Sequence, residues 1–171
     1  MSPVVLVLLI ITLVSIIYYL WYVTFSPQSG PVYVPSKNKT VQMMVEMADL
    51  KEGDRVIDLG SGDGRILIEA AKRGATAVGY EIDPILVAES KRKIAKAGVD
   101  EKAKVKLKNM WQAEFNQADI IFVYLFPKYL AKLKKLLEEK LTHPVKLISN
   151  DYQIPDAKPA KVKNNIYLYQ L

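Results

Sequence analysis

Cysteine is absent from the 171-residue sequence, and His143 is its one histidine. Without cysteine the chain forms no disulfide, has no thiolate nucleophile and offers no sulfur ligand to a metal, and a single imidazole does not build a zinc site. We therefore predict that the protein holds no metal. Because His143 stands directly before Pro144 in a loop-like segment, we assign it no functional role.

Charged side chains are missing from residues 1–36, whereas the rest of the chain carries all 24 lysine and arginine residues and all 18 aspartate and glutamate residues. Within the uncharged part, residues 3–25 are apolar except for Thr12, Ser15 and Thr24. A helix of that length spans about 34 Å, which is enough to cross a bilayer. The apolar run therefore predicts a membrane-spanning helix.

A cleaved signal peptide is the alternative interpretation of this run. However, no basic segment precedes the run, no small-residue cleavage pattern follows it, and it exceeds the usual apolar core of about 7 to 15 residues. We predict a transmembrane anchor at residues 1–26, a connector at 27–36 and one folded domain at 37–171. Aromatic residues near the end of the anchor, and the basic domain behind it, favour a single-pass topology with the domain on the cytoplasmic or mitochondrial matrix side. These aromatic residues are Tyr18, Tyr19, Trp21 and Tyr22.

From residue 55 to residue 151, apolar runs typical of buried strands alternate with helical patterns. Such alternation predicts an α/β fold with a mostly parallel sheet covered by helices on both faces. Near the end of the chain, two strand-like runs flank Asn164 and Asn165, whose tolerance of positive φ suits a tight turn, so we expect an antiparallel hairpin there. The strand-like runs are RVIDLG, ATAVGYE, KVKLKN, ADIIFVYLF, VKLISND, AKVK and IYLYQL.

The run VIDLGSGDGR, residues 56–65, combines a strand, a glycine-rich turn and the start of a helix. Glycines let the backbone approach a ligand closely, and the helix N-terminus supplies free N–H groups. Glu81 follows Asp58 by 23 positions, at the end of the next predicted strand, where a carboxylate can accept hydrogen bonds from both hydroxyls of a ribose. The turn and the acid together indicate an adenosine site.

A nicotinamide-dependent dehydrogenase uses a similar turn and acid. Its fingerprint, G-x-G-x-x-G, does not match the spacing of Gly60, Gly62 and Gly64. Asp58 and Asp63 would also repel a pyrophosphate, but they suit a ligand that carries an ammonium and a sulfonium. These charges favour S-adenosylmethionine as the cofactor.

Residues 58–65 (DLGSGDGR) and 79–84 (GYEIDP) resemble the first two motifs of the class I S-adenosylmethionine-dependent methyltransferases. More narrowly, the segments YVPS, YLFP and SNDY resemble those of small methyltransferases that include the mitochondrial lysine methyltransferases of the ATP synthase c-subunit and many bacterial relatives. The resemblance extends from about Val32 to the C-terminus. It implies a Rossmann-like seven-stranded sheet, mostly parallel with a C-terminal antiparallel hairpin. The predicted fold is this α/β domain together with the N-terminal transmembrane helix that the apolar run predicts.

The resemblance also implies a cofactor site. The glycine-rich turn would cradle the methionine part, Glu81 would hold the ribose and Ile82 would pack on the adenine. Asn109 stands where such proteins often carry an acid that contacts the adenine amino group. The implied cofactor-binding residues are Tyr33, Asp58, Gly60, Ser61, Gly62, Asp63, Gly64, Glu81, Ile82, Asn109, Met110 and Tyr124.

For the methyl acceptor, we expect Tyr124 and Phe126 to line the site where the fourth strand meets the transferred methyl group, with core packing as the alternative. Asp151 is either a carboxylate that orients the acceptor or a turn residue. We predict lysine N-methylation of a membrane-associated protein. Methylation of a lipid or quinone, and a non-catalytic S-adenosylmethionine-binding sensor or assembly factor, are the alternatives. The net charge of +6 suits anionic lipid, an acidic partner or simple solubility, and we predict no nucleic-acid partner.

Overall fold

The computed structural model describes residues 2–29 and 33–171. The chain divides into two compact units, Met1–Val32 and Tyr33–Leu171. The predicted connector, residues 27–36, includes residues 30–32, which lie outside the described part.

The first unit is a single helix, α1 (Pro3–Ser29), which continues three residues past the end of the predicted anchor. By length and composition, its segment Pro3–Val23 is suited to cross a membrane. The hydroxyls of Thr12 and Ser15 donate hydrogen bonds of 2.8 Å to backbone carbonyls one turn earlier. These polar groups therefore need no partner outside the helix.

The second unit is one seven-stranded sheet in the order β3-β2-β1-β4-β5-β7-β6, with helices on both faces. Strands β1 to β5 are parallel, and β7 runs antiparallel between β5 and β6. The predicted fold class is thus confirmed. The strands are β1 (Arg55–Leu59), β2 (Thr76–Glu81), β3 (Ala103–Leu107), β4 (Ile120–Val123), β5 (Lys146–Asn150), β6 (Lys161–Lys163) and β7 (Ile166–Gln170), and the helices are α2 (Asn38–Ala48), α3 (Arg65–Lys72), α4 (Pro84–Lys96) and α5 (Pro127–Lys140).

Burial on both faces explains why the central strands read as continuous apolar runs. In β4, Ile120 and Phe122 pack into the core beneath α2, α3 and α4, whereas Ile121 and Val123 pack into the core beneath α5. Successive side chains of a strand point to opposite faces, so each face must be apolar. The parallel sheet is therefore covered on both sides, as the alternating sequence pattern predicts.

The carboxyl ends of the parallel strands meet at one edge of the sheet, which we call the carboxyl edge. The glycine-rich turn follows β1, Ile82 follows β2, Tyr124 follows β4 and Asp151 follows β5. Strand order reverses between β1 and β4, and such a reversal opens a ligand-binding crevice at this edge. The fold thus brings the predicted site residues to one place.

Two details differ from the sequence-based expectation. Strand β4 ends at Val123, whereas the apolar run ADIIFVYLF continues to Phe126, because the last three residues already lie beyond the carboxyl edge. Two short 3-10 helices, Met110–Gln112 and Phe115–Gln117, stand between β3 and β4. No periodic apolar pattern marks such short turns.

The C-terminal hairpin turns at Asn164 and Asn165, which have φ angles of 50° and 58°. The carbonyl of Asn165 accepts a 2.7 Å hydrogen bond from the backbone N–H of Asp151. The expected antiparallel hairpin is present, and it also holds the segment that follows β5.

Asn165→Val is expected to destabilise the protein by about 1–2 kcal/mol, because a β-branched residue fits the left-handed conformation poorly. Thermal unfolding in mild detergent measures the change. Asn165→Gly is the matched control, since glycine adopts this conformation without strain. Equal melting temperatures for the two variants would contradict the prediction.

Candidate cofactor and acceptor site

The glycine-rich turn is fastened to β2 by its backbone. The N–H groups of Gly60 and Ser61 donate to the Tyr80 carbonyl at 2.9 and 3.1 Å. A Cβ atom at Gly60 would meet nothing within 4 Å, so open space lies beside that residue. At Gly62 a Cβ atom would collide with the ring of Tyr33, which therefore rests on the turn. The turn has one open side and one side covered by an aromatic ring.

Glu81 joins the turns after β1 and β2. Its Oε2 accepts a 2.8 Å hydrogen bond from Gly62 N–H, and its Oε1 accepts from the N–H groups of Ile82 and Asp83 at 2.7 and 2.9 Å. A carboxylate has about four lone-pair sites, so two ribose hydroxyls would have to replace or share one of these amides. The ribose role of Glu81 stays a prediction.

Asp58 is buried near the end of β1, and its side chain forms no hydrogen bond with any described residue. Burial, together with the charges of Glu81 and Asp63, raises the pKa of Asp58 to about 8. The group is therefore largely uncharged at neutral pH, and a cationic ligand group beside it would restore its charge. The unpartnered acid and the open space at Gly60 fit a nucleoside ligand that carries an ammonium, as S-adenosylmethionine does.

Asp63 is paired with two basic side chains of the protein. Its carboxylate accepts hydrogen bonds of 2.8 and 2.7 Å from Arg65 and one of 2.5 Å from Lys93. Burial acts to raise the pKa of Asp63, but the hydrogen bonds from Arg65 and Lys93 outweigh it and lower the pKa to about 2. The charge of Asp63 is thus compensated within the protein. The acidic groups left to face a ligand are Asp58 and Glu81.

Arg65 also holds the segment that precedes α2. Its Nη1 donates to the Ser36 carbonyl, and Asn150 Nδ2 donates to Ser36 Oγ at 3.5 Å. Tyr33, three residues before Ser36, covers Gly62. Residues 33–36 therefore stretch across the carboxyl edge from the glycine-rich turn to the end of β5.

The predicted acceptor residues lie together. Burial, together with the nearby Asp151 carboxylate, raises the pKa of Tyr124 to about 12. Tyr124 therefore stays protonated at neutral pH and cannot serve as a general base. Tyr152, which sequence reasoning missed, stacks on Tyr124 at 6.3 Å between ring centroids and contacts Phe126 at 5.4 Å.

The remaining predicted residues are less directly placed for a ligand. Asn109 Oδ1 accepts the Trp111 N–H at 3.1 Å and so caps a short helix. Met110 is buried in the core beneath α5, and the Ser61 hydroxyl is buried against Gly79. His143 Nε2 lies 2.9 Å from a backbone carbonyl, which is a structural contact. Ile82 is half-buried, as a residue covering an adenine would be.

Residues 58–161 match the family model described as the ANTKMT methyltransferase domain. The chain belongs to this methyltransferase family. It is 35% identical over 130 residues to the human ATP synthase c-subunit lysine N-methyltransferase, with 76% of this chain and 55% of the relative aligned. It is 33% identical over 147 residues to a protein-lysine N-methyltransferase of Saccharolobus islandicus, with 80% of this chain and 91% of the relative aligned.

Among solved structures, an RNA methyltransferase from Salinibacter ruber in complex with S-adenosylhomocysteine is similar at a TM-score of 0.77 and 34% identity, covering 80% of this chain and 93% of that one. These findings confirm the predicted methyltransferase family, and the bound S-adenosylhomocysteine confirms the predicted cofactor class. The chain spans about half the length of the mammalian relatives that it matches.

Asp58→Asn is expected to raise the melting temperature of the ligand-free protein at pH 8. The folded-state pKa of about 8 exceeds the ordinary value of 3.8, so the folded protein holds one more proton than the unfolded chain between these values, and its stability falls as pH rises through that window. Asp63→Asn is the opposite control, because the pKa of Asp63 is lowered. An unchanged melting temperature for Asp58→Asn at pH 8 would contradict the raised pKa.

The same Asp58→Asn variant should bind S-adenosylhomocysteine more weakly by about 2 kcal/mol, the usual contribution of a hydrogen bond to a charged group. Calorimetric titration measures the loss. Wild-type affinity in the variant would show that Asp58 does not contact the ligand.

Arg65→Lys is expected to weaken S-adenosylhomocysteine binding by about 1 kcal/mol, because lysine lacks the planar fork that reaches both Asp63 and the Ser36 carbonyl. Arg55→Lys is the matched control, since Arg55 pairs with Asp119 at 3.0 Å at the opposite end of β1. If both variants bind the ligand equally well, the contact with residues 33–36 has no part in binding.

Proposed function

We propose that this chain is an S-adenosylmethionine-dependent methyltransferase that acts on a protein lysine at a membrane. The observation that carries the proposal is the group formed by Tyr124, Asp151 and Tyr152 beside the cofactor turn. The two named protein-lysine methyltransferases, each at least 33% identical, support the same acceptor.

When bound, S-adenosylmethionine would supply a methyl group whose bond to sulfur breaks as the acceptor nucleophile bonds to the methyl carbon, with S-adenosylhomocysteine as the leaving group. The protein then has to bind the cofactor, align the acceptor with the methyl group and exclude water. It does not have to supply a pair of reactive side chains. Asp58 would hold the ammonium, Glu81 the ribose hydroxyls, and the Tyr33 ring would shield the turn from solvent. These roles follow from the burial and open space described above.

A lysine acceptor must be neutral before it attacks. The rings of Tyr124, Phe126 and Tyr152 provide an apolar surface, and desolvation lowers the pKa of an amine. Asp151, exposed and near the Tyr124 hydroxyl, would orient the amine as it enters. The amine's proton would leave toward solvent on the side of Asp151, because Tyr124 keeps its own proton.

A membrane location is supported by the apolar helix α1 and its internally satisfied hydroxyls. We propose that α1 is a single-pass anchor, with the methyltransferase domain on the cytoplasmic or matrix side. A tethered enzyme meets membrane proteins at high effective concentration. This favours a lysine near a bilayer as the acceptor.

RNA methylation is a second candidate, favoured by the Salinibacter relative named as an RNA methyltransferase. One experiment separates the two. The detergent-solubilised full chain is incubated with methyl-labelled S-adenosylmethionine and with membrane protein, lipid or RNA fractions. Methyllysine in protein hydrolysates is the expected product. Label confined to RNA or lipid would assign the other acceptor, and retained cofactor binding without product would assign a sensor.

Asp151→Asn is expected to lower kcat/KM for the lysine acceptor about 10- to 150-fold. This factor corresponds to a loss of about 1.5–3 kcal/mol of transition-state stabilisation, the range for a hydrogen bond to a charged group. S-adenosylhomocysteine affinity should not change, because Asp151 lies on the acceptor side. Asp156→Asn is the matched control, since Asp156 is also exposed and has a similar positive φ, 55° against 61° for Asp151. Equal activity of the two variants would remove Asp151 from the acceptor site.

A further inference from the structure

Exposed apolar side chains are unevenly distributed over the second unit. Six large ones are exposed in residues 33–171, and five of them lie at the carboxyl edge. The sixth, Val162, lies on the edge strand β6. Tyr33 covers the glycine-rich turn, and the other four form what we call the apolar rim: Val34, Ile85, Leu107 and Phe126.

The apolar rim follows the strand order. Leu107 ends β3, Ile85 opens the helix after β2, Val34 lies in the segment that crosses the turn after β1, and Phe126 follows β4. Three strand spacings separate β3 from β4, or about 14 Å. The rim therefore extends across the cofactor crevice rather than forming one isolated spot. Exposed apolar side chains that cluster on one surface are typical of a surface that contacts another protein or a membrane.

Lysines flank the apolar rim. Four of them form what we call the lysine collar: Lys37, Lys39, Lys108 and Lys128. None of the four forms an ion pair within residues 33–171. Lys37 directly precedes α2, Lys39 is the second residue of α2, Lys108 follows Leu107, and Lys128 follows Phe126 by two positions.

Acidic side chains near the same edge are already engaged. Asp83 caps α4 through the Ile85 N–H at 2.8 Å, and Glu114 pairs with Lys106 at 3.1 Å. Asp151 lies near the Tyr124 hydroxyl. A hydrogen bond from an uncharged donor does not neutralise a carboxylate, but the four lysines of the collar outnumber Asp83 and Asp151. The carboxyl edge therefore presents apolar side chains together with an excess of positive charge.

We propose that the apolar rim and the lysine collar dock the crevice on a lipid bilayer with anionic headgroups; this deepens the membrane location and acceptor proposed above, and rests on them. Apolar side chains enter the interface by about 5–10 Å while lysine stems let the ammonium groups stay among the headgroups. After Val23, the last residue of the apolar segment, residues 24–29 continue α1 and rise about 9 Å, and the four residues from Ser29 to Tyr33 reach at most about 14 Å. A bilayer holding that segment is thus within reach of the rim.

Because the sequence contains no cysteine, a single introduced cysteine can be labelled specifically, and the label reports how deeply that position enters the bilayer. Single variants Ile85→Cys and Leu107→Cys place one environment-sensitive fluorophore on the rim, and Val162→Cys places it away from the rim at similar exposure, 55% against 58% and 60%. The full chain is reconstituted in phosphatidylcholine vesicles with or without phosphatidylserine, with brominated acyl chains as quencher. Labels at 85 and 107 should be quenched several-fold more than the label at 162, and more strongly with phosphatidylserine.

The charge contribution has its own control. Lys37→Glu/Lys108→Glu should abolish the increase caused by phosphatidylserine, whereas Lys161→Glu/Lys163→Glu on β6 should retain it. Equal quenching at 85, 107 and 162 would overturn the proposal. Protection of the rim labels in lipid-free detergent that grows with protein concentration would overturn it too, in favour of a second copy of the chain.

Each labelled sample is also titrated with S-adenosylhomocysteine. Retained binding together with equal quenching would overturn only the docking surface. Absence of binding in the wild-type protein would overturn the proposed function itself.

Discussion

The carboxylate of Glu81 accepts N–H groups from two separate turns, one after β1 and one after β2. Because it is buried at the end of a parallel strand, this single group fixes the distance between the glycine-rich turn and the start of α4. The cover formed by Tyr33 over Gly62 depends on the position of that turn. The site is thus organised around a side chain that bonds to backbone rather than to other side chains.

Burial of three carboxyl groups so near one another is costly for folding, and the three groups differ in their hydrogen-bond partners. Asp63 is compensated by two cations, and Glu81 by backbone N–H groups, whereas Asp58 is left without a hydrogen-bond partner among the described residues. The burial of Asp58 therefore lowers the stability of the ligand-free protein, and a cationic ligand group beside Asp58 would offset that cost. A buried acid with a strongly raised pKa is common in functional sites.

Local patterns account for what the sequence predicted well. The sheet follows from alternating apolar runs, the turn from Gly60, Gly62 and Gly64, and the hairpin from two asparagines. Lys93 reaches Asp63 across 30 positions and Ser36 meets Asn150 across 114, and no local pattern marks such contacts. For that reason the sequence did not indicate the pairing of Asp63 with Arg65 and Lys93. The apolar run of β4 continues past the end of the strand at Val123, because apolar residues at a crevice resemble those of a buried strand.

The hairpin gives the site an order of assembly. Residues 33–107 contain the glycine-rich turn, Glu81 and the first three strands in chain order, whereas Asp151 is held through the carbonyl of Asn165. As the chain leaves the ribosome, the residues proposed to bind the cofactor emerge well before Asn165, which holds the residue proposed to orient the acceptor. The proposed acceptor site is therefore complete only after the last strand of the sheet has been synthesised.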